Sequence, residues 1–306
     1  MRLNEIQIAH ILDEARRLAG EEKYLHAAQM YERLIHLEPS LVLPYLELSS
    51  IYASIERTDS AILLLIRARR RFARDSDVLF KLGAYYLQCG DFRNALLCYK
   101  KIRDEKNAQV HYQMGVAYYL SENPDEAERE FRHALAVDPN FPYVNEAIGE
   151  VLMKKGLFAG AAKSIERGII REPYCGTSHC LLGIAFGHLG SWKSAYDEFV
   201  LSIDMDPKEA AHWQFCGEAL VHLERYDEAE QYLKKSVELD SKIVETHLHL
   251  GRIYLRKKNY ALALDSIHRA VDLDPDNAEA TEMLRCVPGS RMKLTKAKNP
   301  AELIAR

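Results

Sequence analysis

Along 108–141 small and apolar residues fall into helical register twice. Met114, Gly115 and Tyr118 share one face of a first helix, and Ala127, Phe131 and Ala134 share one face of a second. Glu122-Asn123-Pro124 separates them, because a helix interior does not tolerate proline, and Asp138-Pro139-Asn140 closes the second. Neither helix can bury its stripe alone. The pair requires neighbours of its own kind.

Displacing the sequence against itself by 34 residues reveals them as eight segments: 8–41, 42–75, 76–107, 108–141, 142–175, 176–209, 210–243 and 244–277. The third is two residues short. Position twenty is alanine in all eight: Ala27, Ala61, Ala95, Ala127, Ala161, Ala195, Ala229 and Ala263. Position eight is always small, from Ala15 and Ser49 to Gly83, Gly115, Gly149, Gly183, Gly217 and Gly251. Positions eleven and twenty-four carry rings or large aliphatics, such as Tyr118 with Phe131 and Phe186 with Phe199. Such a pattern predicts close packing of two helix axes over a small residue, with bulky side chains filling the flanks. Gly90, Gly156 and Gly190 are expected just past first helices, while Pro39, Pro139, Pro173, Pro207 and Pro275 close second ones.

The Gly…Tyr…Ala…Phe…Pro skeleton at this period resembles the tetratricopeptide repeat, over residues 8–277. The resemblance implies an all-α fold, an α-solenoid in which tandem helix-turn-helix repeats wind into a right-handed superhelix. Departures occur at Glu14, which occupies an apolar position, at Ala73, Asn107 and Ser241, which replace the closing proline, and at Gly168 within a second helix. Residues 1–7 form a lead-in, and the short third repeat predicts a change of pitch near Arg103–Asn107. Residues 278–287 read as a capping helix that covers the last repeat, and 288–306 as a basic, disordered tail, with a short docking helix around Leu303-Ile304 as the alternative.

In this family the concave groove is lined by first helices at positions two, five and nine. The resemblance therefore implies a partner-binding groove at Phe80, Tyr112, Val116, Tyr143, Glu146, Glu150, Cys180, Ile184, Gln214, Glu218 and Arg252. Its central part is aromatic and apolar, which suits a peptide segment. Partial packing of Tyr112 and Tyr143 between first helices is the competing reading. The lysine and asparagine that grip a chaperone's C-terminal carboxylate in some relatives are missing: Leu12 with Arg16, Leu46 with Ser50, and Phe80 with Ala84 stand there instead.

Composition narrows the chemistry. The net charge of −4 exerts no overall pull toward nucleic acid or an anionic membrane. The six cysteines lack paired spacing and read as reduced thiols. The longest aliphatic run, Ala61–Ile66, is far too short to span a bilayer, and the N-terminus, with Glu5, His10 and Asp13, is no signal peptide, so a cytoplasmic chain is expected. Phosphate-cradling loops, nucleophile elbows and His-Glu-x-x-His are absent. His247 and His249 point apart on a helix, while Cys175, His179 and Cys180 lack zinc-site spacing, so neither group is expected to hold a metal. Arg67, Arg69, Arg70, Arg71 and Arg74 end a second helix, where the helix dipole favours cations, and an anion or RNA contact is the alternative.

The reading is a non-enzymatic scaffold or adaptor that binds a protein or peptide segment in its groove and helps assemble a multiprotein complex, with no cofactor or metal. A regulatory RNA-binding array and a non-catalytic subunit of an enzyme complex are the alternatives. Partner identity and oligomeric state are not encoded in any recognisable motif.

Overall fold

The computed structural model describes residues 3–102 and 106–287. These form seventeen helices and, among the described residues, no strand. The chain divides into two compact units, 1–155 and 156–306.

The N-terminal unit holds α1 (Glu5–Gly20), α2 (Tyr24–Leu37), α3 (Leu43–Ser54), α4 (Thr58–Arg71), α5 (Ser76–Gln88), α6 (Phe92–Tyr99), α7 (Ala108–Leu120), α8 (Pro124–Val137) and α9 (Val144–Lys154). The C-terminal unit holds α10 (Phe158–Arg171), α11 (Gly176–His188), α12 (Trp192–Met205), α13 (Ala210–His222), α14 (Tyr226–Leu239), α15 (Val244–Arg256), α16 (Tyr260–Leu273) and α17 (Ala278–Cys286). Within each unit consecutive helices pack in sequence, the arrangement of an α-solenoid.

Local chemistry sets the boundaries. Asn4 and Gln7 close a reciprocal capping box on α1, and the side chains of Asp75, Asp91, Asn107, Asn259 and Asn277 accept from backbone amides to cap α5, α6, α7, α16 and α17. First helices end in a left-handed residue followed by a bond back to the carbonyl of position eleven, as in Asn123 N to Tyr118 O (2.9 Å) and Arg225 N to Leu220 O (2.9 Å). Gly90, Gly156 and Gly190 supply that conformation freely, whereas Glu22, Glu56, Glu122, Glu224 and Lys258 adopt it with a side chain.

The interior confirms the small-residue logic. All eight position-twenty alanines are wholly buried. A Cβ on Gly83, Gly115, Gly183 or Gly217 would lie 2.7, 2.6, 2.5 and 2.5 Å from Tyr99, Phe131, Phe199 and Leu233 respectively. Those side chains occupy the volume that a methyl group would need. The α1/α2 and α3/α4 pairs, with Ala15 and Ser49 in the glycine position, pack less extensively than α7/α8 or α11/α12.

Some boundaries differ from the sequence expectation. The first helix starts at Glu5 rather than inside the repeat at 8, because Asn4 caps it. In the short third repeat α6 spans only 8 residues. Of the expected pitch change at Arg103–Asn107, residues 103–105 lie outside the described residues, as does the tail 288–306. Helix α17 packs on α15 and α16, burying Ala280 and Met283 against the last core cluster.

Candidate functional site

In the N-terminal unit the predicted groove residues divide into two kinds. Phe80 is half-buried against Tyr99, with ring centroids 5.7 Å apart. Tyr112 is half-buried between Phe131 (5.6 Å) and Phe141 (5.5 Å). Both rings therefore cover the position-twenty-four ring of their own pair, so part of their surface is structural. Val116, one turn after Tyr112, is also half-buried.

Tyr143 requires a correction. The repeat pattern places it in a first helix, but α9 begins at Val144 and Tyr143 is its N-cap residue, at φ 59°. Pro142 precedes it, and the chain enters the helix later than in the other repeats. The ring stands 54% exposed, off the helical face.

Two carboxylates on α9 complete this surface. Glu146 is buried and Glu150 half-buried, one turn apart. Burial pushes the Glu150 carboxyl above its usual range and Glu146 adds to the shift, while a hydrogen bond donated by the Tyr119 hydroxyl opposes it. The Tyr112 phenol is raised by burial and further by Glu150, Glu146 and Tyr143, which places these groups within electrostatic reach of one another.

The C-terminal unit contains a cavity of about 350 Å³ lined by Ile184, Gly187, His188, Trp192, Phe199, Phe215 and Glu218. Two of the expected groove residues, Ile184 and Glu218, are in its wall. Cys180 and Gln214 are buried instead, at 7% and 4% exposure, so little of either surface is open to a ligand. Beside the cavity, Gln214 donates to Glu218 (3.2 Å), His249 lies 3.8 Å from Glu218, and Arg252 reaches both His249 (3.3 Å) and Glu279. Burial alone would raise Glu218, but the bonds from His249 and Gln214 outweigh it and hold its carboxyl below the usual range. The charged end of the predicted groove is thus an internally satisfied network.

One feature was not recognised from the repeats. The first residue of a second helix stacks on a side chain thirty positions later: Phe158 on His188 (4.3 Å), Trp192 on His222 (3.6 Å, planes 3° apart), and Tyr226 beneath the Arg256 guanidinium (5.9 Å). Gly187 makes room for one member, since a Cβ there would stand 3.1 Å from Trp192. Aromatic residues at position seventeen and histidine or arginine at position thirteen of the next repeat were the available signal. The His222 imidazole is pushed down by burial.

The titratable residues singled out in the sequence have structural partners. His179 bonds Glu198 (2.7 Å) and the Pro173 carbonyl (3.3 Å), and His247 bonds the Ser241 carbonyl (2.9 Å). Burial pushes the Cys180 thiol up to about 12, away from the thiolate that metal binding or nucleophilic attack needs. Among the described residues no group of three or more His, Cys, Asp and Glu side chains is placed to hold a metal ion. Among them, too, no helix is long and apolar enough to cross a membrane. Arg69, Arg70 and Arg71 form the last turn of α4, and Arg67, Arg70, Arg71 and Arg74 are exposed.

Comparison with known proteins places this arrangement. Tetratricopeptide repeat models match residues 108–141 and 217–278. Human DnaJ homolog subfamily C member 7 is 34% identical over 100 residues, covering 33% of this chain and 20% of that protein. Its Dictyostelium discoideum homolog is 25% identical over 180 residues, 58% of this chain and 29% of the relative. The matched segments thus span less than a third of either curated relative. Among solved structures, the APC/C hetero-tetramer Cut9–Hcn1 aligns with a TM-score of 0.64 and 18% identity, over 91% of this chain and 55% of the other. PilF of Pseudomonas aeruginosa aligns at 0.60 and 20%, over 69% and 96%. At these identities the structural likeness concerns the fold alone. Helix pairs, buried alanines, ring-over-glycine packing and the matched family models agree: the chain is a tetratricopeptide repeat protein.

Proposed function

We propose that this protein is a non-enzymatic, cytoplasmic scaffold that binds a protein segment on its first-helix faces and helps assemble a multiprotein complex. The observation that carries the reading is the cavity beside Ile184 and Phe215. Its walls are aliphatic and aromatic apart from Gly187, His188 and Glu218, and it lies at the low end of the ligand-pocket size range. An apolar side chain of an extended or helical segment enters there, and the segment continues over neighbouring first-helix positions. In the N-terminal unit the corresponding contacts are Phe80, Tyr112, Val116 and Tyr143.

The test is selection of binders from a random-peptide library on the full chain, followed by calorimetric titration. Selected peptides should weaken at least tenfold with Ile184→Asp, or with Phe80→Ala and Tyr112→Ala together, while circular dichroism stays unchanged. Peptides that bind all folded variants equally, or a library that yields none, would sink the proposal.

A further inference from the structure

The arginines at the end of α4 are set apart by their density, with exposed Arg67, Arg70, Arg71 and Arg74 within eight residues. On α1 and α8 arginines are held by carboxylates one turn away, Arg17 by Glu14 (2.7 Å), Arg129 by Glu126 (3.3 Å) and Arg132 by Glu128 (2.6 Å). Among the described residues no such ion pair holds Arg67, Arg69, Arg70, Arg71 or Arg74; Arg71 donates only to the Pro39 carbonyl, at 3.3 Å. Of the acids close by in sequence, Asp75 accepts the Val78 amide (3.0 Å) and Asp91 the Asn94 amide (3.1 Å), each as an N-cap.

The basic surface extends beyond α4. Leu65 of α4 and Cys98 of α6 share one buried cluster, and each helix carries cations at its C-terminal end, Arg69–Arg71 on α4 and Lys100 and Lys101 after α6. Residues 57–106 carry twelve Lys and Arg against six Asp and Glu, although the whole chain is acidic. The helix dipole explains a preference for cations at a C-terminus. It does not explain three exposed ones on the helix, where Arg67 with Arg70 and Arg67 with Arg71 stand in i,i+3 and i,i+4 relation and each like-charged pair weakens it, with exposed Arg74 just beyond. An external anion would relieve that repulsion.

The chemistry selects among anions. Guanidinium forks match carboxylates and phosphates alike, two bonds at a time, so the surroundings must decide. Single-stranded nucleic acid sites add stacking platforms, but the aromatic ring of this segment, Phe72, is turned inward onto Tyr45 (5.8 Å). A long polyanion would also extend toward 122–150, where eight Asp and Glu face two Arg. From this we propose that the ends of α4 and α6 form a second docking surface, for a short acidic protein segment, separate from the first-helix contacts.

Fluorescence anisotropy with a labelled hexa-glutamate peptide and the full chain tests this. Affinity is expected to fall about tenfold between 50 and 200 mM salt, and about tenfold or more in R67Q/R70Q/R71Q/R74Q. The substitutions are at exposed positions, and circular dichroism reports whether the fold is kept. The milder R70K/R71K, which keeps charge but loses the forks, should bind between the two, and Phe80→Ala with Tyr112→Ala should leave binding unchanged. Equal affinity in the glutamine variant, tighter binding of a single-stranded oligonucleotide of equal charge, or arginine-dependent dimers in sedimentation at the expense of peptide binding overturns the proposal.

Discussion

Gly115→Ala tests whether ring-over-glycine packing holds a helix pair together. The new methyl carbon would sit 2.6 Å from two ring carbons of Phe131, about an ångström inside ordinary contact. Phe131 is 2% exposed and its ring also packs on Tyr112, so it has little room to retreat. Overpacking of this kind costs about 1–3 kcal/mol. Alanine's better helix propensity returns about 1 kcal/mol, leaving a net loss of up to about 2 kcal/mol. Because repeat arrays need not unfold in one step, the readout is hydrogen exchange of α7 and α8 amides alongside urea unfolding. The diagnostic arm is the background Phe131→Ala, where the ring that the methyl would strike is gone and the same substitution should become neutral or stabilising. Gly20→Ala, with no atom within 4 Å of the added carbon, is the control that should cost nothing. If Gly115→Ala were no more harmful in the wild-type background than in the Phe131→Ala background, the packing argument would be refuted.

Three further outcomes are expected. Tyr99 is fully buried and its hydroxyl has no partner among the described residues, while Phe131 and Phe199 fill the same place in other pairs, so Tyr99→Phe should stabilise by about 1 kcal/mol in urea unfolding; a loss would mean the hydroxyl is satisfied. Glu224 ends α13 at φ 58°, so Glu224→Gly should raise the melting temperature through about 0.5–1 kcal/mol of relieved backbone strain, and a fall would contradict that. Burial opposes ionisation of Glu230, but hydrogen bonds from Lys234, Lys257 and Tyr254 prevail and hold its carboxyl at about 2. Its folded value lies below its unfolded one, so its contribution is complete above about pH 4.3 and is lost as pH falls toward 2. The Glu230→Gln variant should therefore flatten the acid limb of stability for the C-terminal unit, and an identical acid limb in both proteins would count against this.

Much of the fold was legible because the repeats constrain one another. A single Gly-to-ring pair such as Gly115 and Phe131 is ambiguous alone, whereas eight aligned copies define helix register, turn positions and core. The candidate sites were less legible. Groove residues were assigned from position number, and position number does not report exposure. Cys180 and Gln214 occupy groove positions yet are buried, and Tyr143 left its helix because Pro142 altered the entry of the chain.

Sequence alone therefore determined the helix pairs, the close approach at glycine and alanine, and the family to which they belong. These depend on spacing within one repeat, and local spacing is what a sequence records. Tertiary structure decided which partners long side chains take. The cavity at Ile184 and Phe215, the Trp192–His222 stack and the unpaired arginines of α4 depend on atoms from different repeats meeting, or failing to meet, across thirty or more residues. Helical register brings those side chains to a common neighbourhood; only packing fixes their distances.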